Sequence, residues 1–90
     1  MRIEYDPAKR DWTLRRRGLD FEDATIVLET EITTVPDGRA DYGEDRFNTF
    51  GMLAGRLVHV TWTPRSDAVR VISMRFANER ERARCVGQRR

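Results

Sequence analysis

Ninety residues with one cysteine and one histidine describe one small domain and exclude an internal disulfide and an ordinary zinc site. The chain has no apolar run near the roughly 18 residues of a membrane span, no secretory hydrophobic segment, and no CxxC, HExxH, P-loop or GxGxxG pattern. A cytoplasmic protein without membrane, metal or cofactor is therefore expected. The net charge of +2 conceals a split: residues 1–18 carry six basic and three acidic groups, 19–49 two and nine, 50–69 two and one, and 70–90 seven and two. If the two positive ends meet in space they form one anion-binding face; if they do not, the same charges are solvated surface. Sixteen of the 17 basic residues are arginine, Lys9 being the exception, which fits either phosphate recognition or GC-rich coding.

In chain order, residues 2–5 alternate and read as a short strand. Asp6-Pro7 opens a helix, Asp as N-cap and Pro at the first helical position. That helix runs through Trp12 to about Arg17, ends at Gly18, and carries Arg15, Arg16 and Arg17 in its last turn, where the helix dipole favours cations. Asp20 caps a second helix, with Asp23 in the place of a capping-box acid and an apolar stripe of Phe21, Ala24, Val27 and Leu28. Residues 32–35 read as a strand and Pro36-Asp37-Gly38 as a turn. Strands over 45–52, 56–63 and 69–77 follow, with residues 53–55 and 64–68 as connections. Asn78 caps a final helix with Glu79 and Glu81 near its start.

The order β-α-α-β-β-β-β-α predicts an α+β fold. Short connections predict an antiparallel sheet for the last four strands, packed against helices on one face and partly open on the other. Alternation puts Val58, Val60 and Trp62 on one face of their strand, and Leu57, His59 and Thr61 on the other. On the last strand Ile72, Met74 and Phe76 oppose Val71, Ser73 and Arg75. The apolar sets are expected under the helices, and Arg75, Ser73 and His59 or Thr61 on the open face. Trp12 and Trp62 are expected in the core, with base stacking as the other use of such rings.

The runs Tyr5-Asp6-Pro7-Ala8-Lys9, Leu14-x-x-Arg17-Gly18-Leu19-Asp20-Phe21-x-x-Ala24, Glu44-Asp45-Arg46-Phe47-x-x-x-Gly51 and Arg70-Val71-Ile72-Ser73-Met74-Arg75-x-Ala77-x-x-x-Glu81-Arg82 together resemble the BrnT family of type II toxins. The resemblance spans residues 3 to about 85. It implies a RelE-like fold and an RNA-cleaving toxin that inhibits translation. It also implies a BrnA-like antitoxin with a ribbon-helix-helix domain, a toxin dimer within a heterotetramer, and operator DNA bound through the antitoxin. Three positions depart from the family pattern. Arg16-Arg17-Gly18 stands for Lys-His-Gly, Thr13 for a frequent Asn, and Cys85 for a frequent Tyr. The alternative reading is a catalytically weak or inactive module that acts with the antitoxin in operon autoregulation.

Metal-free RNA cleavage needs a base for the 2′-hydroxyl, cations for the phosphorane and an acid for the 5′-oxygen. Arginine grips phosphate with paired hydrogen bonds. The candidates are Arg75 on the last strand, Arg65 in the loop beside Trp62, and Arg46 at the start of a strand. Arg75 has an acid of segment 41–45 as its alternative, structural partner. His59 is the natural acid or base. Lys9, Arg17, Arg80 and Arg82 are candidate RNA contacts. Glu79 and Glu81 serve either proton transfer or the helix dipole. Cys85 reads as a packing residue.

Overall fold

The computed structural model describes residues 1–38 and 43–88. The elements are β1 (Arg2–Glu4), α1 (Pro7–Arg17), a 3-10 turn (Phe21–Asp23) running into α2 (Ala24–Glu29), β2 (Thr33–Pro36), β3 (Phe47–Leu53), β4 (Arg56–Arg65), β5 (Ala68–Phe76) and α3 (Glu79–Gln88). This is the expected β-α-α-β-β-β-β-α order of an α+β fold.

Caps set the helix ends. The Asp6 carboxylate accepts the Ala8 N–H at 2.9 Å, and the Gly18 N–H closes α1 on Leu14 O. Asp20 accepts from Glu22 N–H at 2.9 Å and starts the 3-10 turn. The same Asp20 carboxylate takes Arg10 in a two-point pair at 2.8 and 2.9 Å, which locks α1 to that turn.

The sheet order is β1-β5-β4-β3-β2. Strands β2 to β5 form the expected antiparallel meander. β1 lies parallel beside β5, pairing Arg2 with Ala68 and Glu4 with Arg70, so the sheet as a whole is mixed. The β3–β4 hairpin turns through Ala54 and Gly55, both with positive φ (50° and 78°), as the right-handed twist of a two-residue hairpin requires. The β4–β5 connection is tighter than the expected loop over 64–68. Arg65 already pairs with Ala68, leaving Ser66 and Asp67 as the turn. Pro64 is tolerated in β4 because β3 stops opposite Trp62, where a missing N–H breaks no ladder bond to β3. The turn expected at 36–38 also begins later, since Pro36 pairs with Phe47 and the Asp37 N–H bonds Arg46 O at 2.8 Å.

A register shift corrects the expected face of Val71. Trp62 pairs with Val71 and Thr61 with Ser73, so Ile72 is the extra residue of a β-bulge. The bulge reverses the alternation, placing Val71 on the same face as Met74. Val71, Met74, Val58 and Val60 then pack with Leu19, Phe21, Ala24 and Val27, none more than 2% exposed. Ile72 stays half-buried at the sheet edge. α2 lies so close over β3 that a Cβ on Gly51 would stand 2.0 Å from Val27 O. The Thr30 hydroxyl, which accepts from Met52 N–H at 2.9 Å, fastens the end of that helix.

The helices do not all share a face. α1 and α2 cover the Val58–Val60 side, as expected. α3 leans on the other side, where Cys85 packs with Leu57 and Ala77 beside Phe50 and Met52. The face expected to stay open is therefore closed at that end, and His59 and Thr61 are buried.

Candidate active site

The antiparallel register makes His59 and Arg75 direct cross-strand partners on the α3 side of the sheet. Phe50, opposite His59 on β3, holds its ring against the imidazole with centroids 4.9 Å apart. His59 is 7% exposed. Ser73 and Thr61 continue the same face, and the Thr61 hydroxyl donates to Asn48 Oδ1 at 2.7 Å.

α3 completes the cluster. Asn78 Oδ1 accepts the Glu81 N–H at 2.8 Å, and Glu81 Oε1 accepts the Asn78 N–H at 2.9 Å, a reciprocal capping box. This cap turns the Glu81 carboxylate onto the sheet, where it accepts both terminal nitrogens of Arg75 at 2.8 Å. The Arg75 guanidinium holds the Glu81 carboxyl down at about 2, with help from the Asn78 N–H and the nearby His59, and burial opposes them. Glu81 is thus an anion at neutral pH. It orients Arg75 and holds no proton to give. The pairing with Arg75 is the role that dipole reasoning missed, and the Asn-x-x-Glu spacing was the signal that could have shown it. As for the alternative acids of segment 41–45, residues 41 and 42 lie outside the described residues.

The other predicted residues fall elsewhere. Arg65 ends β4 instead of sitting in a loop, and donates to Glu44 Oε1 at 3.1 Å, while Arg46 Nε lies 3.5 Å from Glu44 Oε2. The two arginines hold the Glu44 carboxyl below its usual range. Arg65 lies six positions along β4 from His59, about 20 Å at ~3.3 Å per residue. Arg65 therefore stands at the far end of β4 from the His59–Arg75 pair. Lys9 is exposed on α1. Arg17 donates to Met74 O at 2.7 Å, on the edge of β5 beyond the reach of β1. Arg80 is exposed on α3, and Arg82 donates to Ala77 O at 2.9 Å. Trp62 is a half-buried neighbour of the core, its indole N–H on Thr49 Oγ1 at 2.9 Å. Trp12, expected in the core, is 47% exposed, because α1 turns Thr13 and not Trp12 inward. Cys85 is buried, and burial pushes its thiol up, which suits packing and not nucleophilic attack.

Among the described residues, no three His, Cys, Asp or Glu side chains gather as metal ligands, and no helix is long and apolar enough to cross a membrane. The His59–Arg75–Glu81 cluster offers a fixed cation beside a proton carrier, a pairing suited to an anionic centre that gains charge in its transition state. No match to the chain was found among the curated proteins. Residues 5–81 match the model of a family described as the ribonuclease toxin, BrnT, of type II toxin-antitoxin systems.

Proposed function

Since the chain belongs to the BrnT family of ribonuclease toxins of type II toxin-antitoxin systems, we propose that it is a metal-independent endoribonuclease centred on Arg75 and His59. In this reading a base removes the 2′-hydroxyl proton and the 2′-oxygen attacks the adjacent phosphorus. The bond to the 5′-oxygen breaks as that oxygen takes a proton, leaving a 2′,3′-cyclic phosphate and a 5′-hydroxyl. Arg75 neutralises the phosphorane, and His59 moves a proton at one end of the displacement. Glu81 positions Arg75. The observation that carries this reading is the cross-strand placement of His59 against Arg75.

Membership of a type II system implies an antitoxin partner and an RNA substrate. We further propose that the antitoxin is BrnA-like, with a ribbon-helix-helix domain, and that a toxin dimer sits in a heterotetramer that binds operator DNA. Translation falls because RNA is cut.

One observation favours a second reading. Glu81 occupies two donors of Arg75, and the imidazole is 7% exposed. A phosphate must displace Glu81 to use that fork. On this reading the chain is a weak or inactive module serving operon autoregulation with its antitoxin. Cleavage of a defined single-stranded RNA in EDTA separates the two. Cutting that survives the chelator and is lost in Arg75→Ala and His59→Ala supports the nuclease. A folded wild-type protein that leaves RNA intact, with and without ribosomes, leaves the regulatory module.

A further inference from the structure

The outer edge of β5 carries a second feature. β1 pairs with β5 only as far as Arg70, so beyond Arg70 no strand among the described residues pairs with β5 on that side. α1 lies along it, and between them runs a groove of about 500 Å3 lined by Lys9, Trp12, Thr13, Arg17, Ile72 and Ser73 among others. That size falls within the range of ligand sites, roughly 300–1,000 Å3. None of its lining residues is acidic.

Trp12 is the unusual member. An indole 47% exposed on a helix leaves about half of its apolar surface to solvent. Cations surround it: the guanidinium carbon of Arg17 lies 5.0 Å from the ring centre and that of Arg16 5.8 Å. Asp11, the acid next in sequence, is taken by Arg15, so these cations are not neutralised from α1. An aromatic plate among positive side chains fits a ligand that brings flat rings and negative charge together, which is the composition of a single-stranded nucleic acid.

We propose that the α1–β5 groove is a single-stranded RNA subsite in which a base stacks on Trp12 and adjacent phosphates meet Lys9 and Arg16. The site rests on the ribonuclease reading for its choice of RNA and adds the platform that holds the strand. Ser73 joins the two places. It lines the groove and stands two residues before Arg75 on the same sheet face, about 7 Å away at ~3.4 Å per residue. A strand stacked on Trp12 reaches Arg75 by rounding the β5 edge at Ser73, since α1 covers one face of the sheet and Arg75 stands on the other.

Binding, measured separately from cutting, tests this. Fluorescence anisotropy of a labelled single-stranded oligoadenylate is followed with the full chain carrying Arg75→Ala, so that turnover does not confuse the reading. Trp12→Ala in that background should weaken binding by about tenfold, whereas Trp12→Phe, which keeps a stacking face, should lose only a few-fold. Lys9→Ala should reduce the slope of log K against log salt by about 0.7. Equal affinity in the folded Trp12→Ala protein overturns the proposal and leaves this face to a protein partner. RNA held through Trp12 in this background, while the wild-type chain assayed beside it never cuts, would keep the subsite and sink the nuclease reading.

Discussion

At the scale of the residue, the Arg75–Glu81 pair carries a pH signature. Glu81 has its carboxyl at about 2 in the folded chain because Arg75 grips it, against ~4.3 for an unfolded glutamate. A depressed carboxyl stabilises the fold above the unfolded value, and that stability drains away as pH falls through the folded one. With Arg75 37% exposed, solvent screens part of it. We expect urea unfolding to show about 1–2 kcal/mol less stability at pH 2.5 than at pH 7 from this pair. Most of that difference should vanish in Glu81→Gln. The same substitution probes chemistry: a loss of RNA cleavage of about tenfold, ~1.4 kcal/mol in the barrier, is what the positioning of Arg75 by Glu81 predicts, whereas cleavage kept or raised would show that Glu81 only competes with phosphate for the Arg75 fork. The sequence displayed Arg75, His59 and Glu81 singly. Their meeting depends on the β4–β5 register and on the angle at which Asn78 launches α3, and neither is a local property.

At the scale of the element, two positions report how the meander is held. Gly51 sits beneath the backbone of α2, with Val27 O where a Cβ would go. Gly51→Ala should therefore cost about 3 kcal/mol, seen as a lower urea midpoint with an unchanged slope. Ala54 has φ 50° in the β3–β4 turn, a conformation that costs an alanine ~1–2 kcal/mol. Ala54→Gly should relieve part of this and raise the melting temperature by about 4 °C. The strands were legible from turn residues and alternation, with ends displaced by about one or two residues, and helix ends from Asp6-Pro7, Gly18 and Asn78, while Asp20 opens the 3-10 turn ahead of α2. The bulge at Ile72 was not, because an extra residue in a ladder is defined by its partner strand. Reading β5 as an uninterrupted alternation therefore assigned Val71 to the wrong face. Trp12 was misplaced for a related reason: α1 buries Thr13 and leaves both Trp12 and Leu14 exposed, a pattern that apolar spacing does not reveal.

At the scale of the molecule, distance decides which arginines work together. Arg65 and Arg46 share Glu44 at one end of the sheet, and Arg75 shares Glu81 toward the other. Single-turnover cleavage should accordingly fall by orders of magnitude in Arg75→Ala and stay within a few-fold in Arg65→Ala, while comparable losses in both would mean that one substrate spans the face. The sequence by itself determined the element order, the caps, the antiparallel meander and the family, because each is written in residues close along the chain or in short motifs at set spacing. Only the tertiary structure decided that β1 joins in parallel, that α3 closes the second face, that Glu81 claims Arg75 and that Trp12 faces solvent among cations. Those outcomes rest on pairings between residues far apart in the chain, and their free energy comes from geometry that no local pattern records.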